Sequence, residues 1–349
     1  FRALFGWMPG GLAVMVAAVC ALFTTFTGGS GVTIIALGGL VYPILRDDGY
    51  PEGFSLGLVT AAGSLGLLFP PSLPVILYSV VASVPADALY LAGLVPGFLL
   101  VVLTAAWGIR QGLVLEAQGR TRPKFVLREL GASFWAAKWE LALPLLVIVL
   151  FASGFAWMVE ASAAACAYAA VVECLVTRDI HPFRQLPGVL LKAGALMGAV
   201  LLLLSVAMGL TSWLVDAQVP GALLEWVKTH VSSPLAFLLV LNVILLVLGS
   251  VLEIYSAIVI LAPLVAPMGA AFGIDPIHLG VIFLANLELG FLFPPVGLNL
   301  FLSSSRFGVP LPRLYRHAVP YLLILGAGVL LITYVPAMST GILDLLGRR

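Results

Sequence analysis

Gly66-Leu67-Leu68-Phe69-Pro70-Pro71 returns 224 residues later as Gly290-Phe291-Leu292-Phe293-Pro294-Pro295. The match extends without a gap over 34–71 against 258–295, where 13 of 38 positions are identical, Pro43 with Pro267 and Gly49 with Gly273 among them. Self-similarity at one fixed offset marks a duplicated structural unit. Each copy sets a proline pair inside an apolar stretch. Proline lacks the N–H donor and clashes with the preceding turn, so a helix does not run straight through such a pair. The pattern predicts two related units, each holding a helix that unwinds midway.

Composition says where those units sit. Apolar residues make up 62% of the 349 and charged residues 9%, against about 45–50% and about 25% in soluble domains. No water-soluble fold buries that much apolar surface, so lipid must cover it. The net charge of +1 gives no electrostatic basis for a nucleic-acid partner. Cys20, Cys166 and Cys174 lie in apolar sequence without metal-type spacing and read as isolated thiols. The chain opens on Phe1 in apolar sequence with no recognisable signal peptide. Further helices are expected upstream, and the helix count is a minimum.

A membrane span needs about 20 mostly apolar residues. Stretches 87–108, 141–158, 160–177, 190–213 and 318–338 qualify. Stretches 8–45 and 234–270 are interrupted, at Gly28-Gly29-Ser30-Gly31 and around Gly249-Ser250, and read as re-entrant hairpins. Stretches 54–83 and 276–305 carry the Pro-Pro breaks. The expected division is a first repeat over 1–86, then scaffold and connecting helices over 87–232 with an amphipathic arm at 110–138. A second repeat over 233–310 follows, and a C-terminal transmembrane helix and tail close the chain at 311–349.

Positive charge orients the layout. Arg110, Arg120, Arg122, Lys124, Arg128 and Lys138 crowd the 110–138 arm, which the positive-inside rule assigns to the cytoplasm. Counting crossings from there puts Arg2, Arg46, Arg178, Arg184, Lys192, Arg306, Arg313 and Arg316 on the same side. Only Lys228, Arg348 and Arg349 fall outside. Trp7, Trp107, Trp157 and Trp213 lie at expected helix ends, the headgroup level that an amphipathic ring prefers. In this layout the first hairpin enters from the cytoplasm and the second from the opposite side. The fold class read from the chain is therefore an all-α polytopic membrane protein with two inverted-topology repeats. Each repeat holds a re-entrant hairpin and a Pro-Pro-broken transmembrane helix, a pattern that points to secondary transport.

Irregular backbone at membrane depth is tolerated where it is buried in protein or lines a cavity. Carbonyls freed by unwinding suit a hard cation such as Na⁺, and half-helix N-termini suit a carboxylate. Gly28, Gly29 and Ser30 facing Pro70 and Ser72 form one candidate cation cluster. Gly249, Ser250 and Ser256 facing Pro294, Val296 and Gly297 form the other. Between them lies the candidate substrate space, with Gly31, Thr33, Pro71, Ser72, Pro295 and Asn299 as candidate ligands. Glu253 and Glu288 lie in apolar sequence, where an acid is costly. They serve either structural hydrogen bonding or cation or proton coupling. The four histidines do not cluster, so metal catalysis has no support, and no metal beyond Na⁺ is expected. No loop ending in Gly-Lys-Ser/Thr is present, so the energy is expected from an ion gradient rather than from ATP.

The motifs resemble a known family. Thr27-Gly28-Gly29-Ser30-Gly31-Val32-Thr33, the stretch 66–74 ending Pro70-Pro71-Ser72-Leu73-Pro74, Gly273-Ile274-Asp275-Pro276-Ile277-His278, and Asn286-Leu287-Glu288 leading to Pro294-Pro295-Val296-Gly297 look like the large membrane subunit of tripartite ATP-independent periplasmic (TRAP) transporters. A segment over 154–165, with Glu160-Ala161, adds to the likeness. The resemblance implies an elevator-type ion-transporter-like fold in the bacterial inner (cytoplasmic) membrane and Na⁺ as the coupling ion, with no other cofactor. It also implies a small four-helix membrane subunit and a periplasmic substrate-binding protein that delivers an organic acid, such as a C4-dicarboxylate or a sugar acid. The chain departs from the family at Phe293, where Thr is common, and at Trp157-Met158-Val159, where Thr-Pro-Thr is usual. The N-terminal scaffold helices that the resemblance implies are expected to be missing or cut short here. The alternatives are a related Na⁺/anion symporter that needs no binding protein, and an ion channel. An intramembrane enzyme would need a nucleophile–base pair or metal cluster, which the sequence lacks.

Overall fold

A computed structural model describes residues 2–118, 127–153, 158–231 and 233–347. Arg120, Arg122, Lys124, Trp157, Arg348 and Arg349, which entered the charge and tryptophan arguments, lie outside the described residues. Helix is the only regular structure among those described. Among the described residues four helices, Ala86–Ala117, Pro234–Val251, Ile254–Ala271 and Leu311–Tyr334, are long and apolar enough to cross a membrane. The chain divides into two compact units, one of 1–123 with 205–349 and one of 124–204.

The larger unit contains the duplicated sequence, and the backbone repeats with it. The first repeat has an inbound arm, Gly11–Thr27, and a return arm running through Ser30–Val32, a wider π-helical stretch Thr33–Gly38, and Gly39–Asp47. A half-helix Glu52–Ala62 follows, then irregular chain at 63–72, then a second half-helix Leu73–Ala82. In the second repeat the same order is Pro234–Val251, Ile254–Ala271, Pro276–Gly290, irregular chain at 291–297 and Leu298–Phe307. The Pro70–Pro71 and Pro294–Pro295 peptides are cis.

Hydrogen bonds follow the 224-residue offset closely. The return arms end in matching turns, with Gly49 and Gly273 at positive φ. Tyr50 N–H donates to Leu45 O as Ile274 N–H does to Gly269 O, both at 3.0 Å. At the breaks, Phe69 N–H donates to Gly66 O and Phe293 N–H to Gly290 O, at 3.2 and 2.9 Å. At the tips, Gly28 N–H donates to Thr24 O and Leu252 N–H to Leu248 O, both at 2.8 Å.

That last pair corrects an expectation. The second hairpin does not turn at Gly249-Ser250, which are helical; it turns at Leu252-Glu253, opposite Gly28-Gly29 in the repeat. Glu253 is extended and its carboxylate accepts from Tyr255 N–H and Ser256 N–H at 3.0 and 3.4 Å, restarting the helix as an N-cap. Where the first tip uses a left-handed glycine, Gly28 at φ 65°, the second uses a capping side chain. Asp275 caps Pro276–Gly290 in the same way, with proline at the first helical position.

Two other boundaries differ. The expected 87–108 span continues to Ala117, overrunning the start of the amphipathic arm, because residues 109–117 keep good helix formers past Arg110. The tail beyond Leu311–Tyr334 is itself helical at Ala337–Leu346 and packs on Ala86–Ala117. A core of Leu56, Leu300, Val309, Leu314 and Ala318 fastens both repeats to Leu311–Tyr334. In the smaller unit, Leu127–Ala136 buries nothing and carries Trp135 at 70% exposure, with the Lys138 ammonium 4.2 Å over its ring. An exposed aromatic beside a cation is what a helix lying on a membrane surface presents.

Candidate functional site

Small residues let the breaks seat against the hairpins. A Cβ on Gly66 would stand 2.6 Å from Thr25 N, and one on Gly290 would stand 2.8 Å from Gly249 Cα. Thr25 and Gly249 are themselves repeat equivalents. Each break therefore closes on the inbound arm of its own hairpin through backbone-to-backbone contact that no larger residue permits.

In the first cluster the structure brings the hairpin tip beside the end of the break. A Cβ on Gly28 would lie 3.1 Å from Leu73 Cβ, so the tip meets the residue just past Ser72. Ser72 N–H donates to Phe69 O at 2.9 Å and its carbonyl accepts from Tyr90 OH at 2.7 Å, while its buried Oγ has no partner. Gly29 has open space around it. Ser30 is buried, and its carbonyl lies near Gly63. Pro70 and Pro71 are half-buried. Gly31 points elsewhere: a Cβ there would meet Leu302 of the other repeat at 2.7 Å.

Thr33 belongs to an oxygen-rich group that the sequence did not flag. Thr24 Oγ1 lies 2.8 Å from Cys20 O, 2.8 Å from Gly63 O and 2.7 Å from Thr33 Oγ1. One hydroxyl carries one proton, so Thr24 cannot donate to every oxygen around it. Such a surplus of oxygen over protons suits a small hard cation. The run Thr24-Thr25 just before the Gly-Gly tip was the available signal.

Hydrogen bonds join parts of the second cluster. Ser250 O accepts from Gly297 N–H at 2.8 Å and Ser250 Oγ donates to Val247 O at 2.7 Å. Gly297, at φ 55°, packs on Phe291 O and Phe293 O. Pro294 is half-buried, while Pro295 and Val296 are exposed, and Pro295 O accepts from Tyr315 OH. Ser256 contributes its N–H to the Glu253 cap. Both Ser250 oxygens thus take part in protein hydrogen bonds, the hydroxyl as a donor that keeps its lone pairs. The tips also touch each other, as Tyr255 OH donates to Gly28 O at 2.9 Å.

Between the breaks runs a polar seam. Asn299 Nδ2 donates to Thr60 O at 3.1 Å and meets Ser64 Oγ at 3.4 Å, and Thr60 Oγ1 donates to Ser303 Oγ at 2.8 Å. Asn299 Oδ1 is buried without a partner. Asn299 and Ser72 therefore each keep an unmet oxygen, and such groups ordinarily have a reason. The two candidate acids separate cleanly. Glu253 is a cap, whereas Glu288 is 2% exposed and both its carboxyl oxygens lack partners. Thr60, Ser64, Tyr90 and Tyr255 were not flagged, because their partners are remote in sequence or lie on backbone atoms. Among the described residues no group of three or more His, Cys, Asp or Glu could hold a metal.

The fold has a counterpart among known structures. The fold is similar to that of the YdaH transporter of Alcanivorax borkumensis, with TM-score 0.62 and 20% identity, covering 97% of this chain and 84% of that one. In sequence, the chain is 37% identical over 348 residues to the C4-dicarboxylate TRAP transporter large permease protein DctM of Pseudomonas aeruginosa, covering 99% of this chain and 80% of the relative. It is 32% identical to the isethionate TRAP transporter permease protein DctMQ of Oleidesulfovibrio alaskensis (96% and 52% covered) and 28% identical to the ectoine permease TeaC of Halomonas elongata (99% and 80%). The family described as tripartite ATP-independent periplasmic transporter, DctM component, matches residues 1–338. The chain belongs to that family: it is a large permease subunit of a TRAP transporter.

Proposed function

We propose that this subunit carries a small organic acid anion across the bacterial inner membrane, driven by Na⁺ and fed by a periplasmic binding protein. In this reading the two hairpins and breaks form a moving transport domain on a scaffold built from 87–232 and 311–349. The observation that carries it is the pair of matched breaks, each seated on its own hairpin, with unmet oxygens at Ser72 and Asn299 between them. The Thr24–Thr33–Gly63 group supports a cation site beside the first break. The N-termini of Leu73–Ala82 and Leu298–Phe307, each directly after a break, support a carboxylate ligand in this reading. Relatives named for C4-dicarboxylate, isethionate and ectoine support a small organic solute. The tripartite family description supports two further components, one of them the small membrane subunit. One positive charge entering down 100 mV contributes about 2.3 kcal/mol, roughly fifty-fold in concentration.

The test is uptake of labelled organic acids into proteoliposomes holding all three components, with and without an inward Na⁺ gradient. Uptake is expected only with the gradient. Ser30→Ala should raise the Na⁺ concentration for half-maximal uptake, whereas Ser250→Ala, whose hydroxyl is already bonded to Val247 O, should raise it less. Uptake indifferent to Na⁺ would refute the coupling.

A further inference from the structure

Resting on that transport reading, we propose that Glu288 is a proton-carrying site. In this arrangement it is a neutral carboxylic acid; when the second break opens to water its O–H bond breaks, the proton passes to water, and the carboxylate is reprotonated later in the cycle.

The geometry supplies three reasons. Glu288 is buried with both carboxyl oxygens unpartnered, and an ionised carboxylate without partners is costly in an apolar interior. It stands in the last turn of Pro276–Gly290, the end where the aligned peptide dipoles gather negative charge and disfavour an anion further. In the first repeat its place is held by Ser64, a neutral hydroxyl that meets the Asn299 amide at 3.4 Å. The offset puts Val75 of the first repeat where Asn299 stands in the second, so the position equivalent to Asn299 offers Glu288 no amide.

No counter-charge is bonded to Glu288. Of the helices packed against Pro276–Gly290, Pro234–Val251 has no ionisable group, Leu73–Ala82 only Tyr78, Ile254–Ala271 only Tyr255 and Ala337–Leu346 only Asp344. Ala86–Ala117 carries Asp87, Tyr90, Arg110 and Glu116. Leu311–Tyr334 carries Arg313, Arg316 and His317 in its first two turns, with Tyr315, Tyr321 and Tyr334. None is bonded to Glu288. His278, on the same helix, is engaged with Ser339 Oγ and Thr333 O. The position is less than two turns from the second break, which the moving transport domain exposes and buries in turn, so water reaches it in one state and not in the other.

The experiment uses the complete three-component system in proteoliposomes, with the membrane potential clamped and the Na⁺ gradient fixed. An acid-outside gradient of one pH unit should raise wild-type uptake about threefold, within the tenfold ceiling of one unit. Glu288→Gln copies the protonated acid in size and charge. It should lose that response while keeping its Na⁺ dependence and its exchange of labelled for unlabelled substrate, a process with no net proton step. Independently of transport, the purified wild type at neutral pH should show an infrared carboxylic-acid C=O band that Glu288→Gln lacks. The proposal fails if the variant keeps the pH-gradient response, if a transporting wild type ignores the gradient, or if the infrared difference is absent. It also fails if folded Glu288→Gln loses exchange or Na⁺ dependence, which would make the residue a Na⁺ ligand. A wild type that moves no organic acid under any gradient refutes the transport reading and the coupling with it, while the infrared band still reports the acid.

Discussion

Gly66 and Gly290 carry much of the architecture on two hydrogen atoms. A methyl group on either meets backbone rather than a rotatable side chain, so the hairpin must shift as a body. Gly66→Ala or Gly290→Ala should cost about 1–3 kcal/mol, seen as a lower melting temperature of the purified protein. Gly29→Ala, with open space around it and extended backbone, should leave melting unchanged. Equal effects at all three positions would contradict the seating argument. Some residue roles were legible and some were not. A glycine matched across the repeat announces close approach, but nothing in the sequence separates Glu253, which caps a helix, from Glu288, which has no partner. Beyond its place in the Thr24-Thr25 run, Thr24 carries no sequence signal, because a threonine in an apolar helix most often bonds its own i−4 carbonyl, as Thr24 also does to Cys20 O.

Elements were legible wherever a residue forbids helix. Both proline pairs fall inside irregular chain, since a missing donor and a ring clash act without help from tertiary structure. The second tip was misplaced by three residues because Gly249-Ser250 looks like a turn, while the real turn depends on one carboxylate capping two N–H groups. Extending the offset to the tip, from Gly28-Gly29 to Leu252-Glu253, would have found it. The π-helical stretch Thr33–Gly38 had no sequence signal; it widens the return arm where Gly38 approaches Val59 and Gly39 approaches the Arg306 guanidinium, and such turns collect at functional places. Capping itself is testable. Asp275→Ala removes the acceptor for Ile277 and His278 N–H and should lower stability by about 1 kcal/mol, with Asp275→Asn restoring most of it. A melting temperature unmoved by Asp275→Ala would mean that the proline at the first helical position fixes the helix start alone.

At the scale of the molecule the two repeats are joined through contacts that no local pattern announces. Thr60 bonds Ser303 and Asn299 bonds Thr60, although well over two hundred residues separate the partners, and the same two half-helices share a core with Leu311–Tyr334. The sequence carried the duplication and the apolar character. It did not carry the seam, because pairing across repeats follows from packing rather than from spacing. The transport account depends on the repeats standing upside down to one another in the bilayer. Asp47 and Ala271 are equivalent positions at the ends of the two return arms, and both are exposed. In a background lacking Cys20, Cys166 and Cys174, Asp47→Cys and Ala271→Cys can be probed with a membrane-impermeant thiol reagent in right-side-out and inverted vesicles. The account predicts that Asp47→Cys is labelled only from the cytoplasmic side and Ala271→Cys only from the periplasmic side. Labelling of both from one side would contradict it.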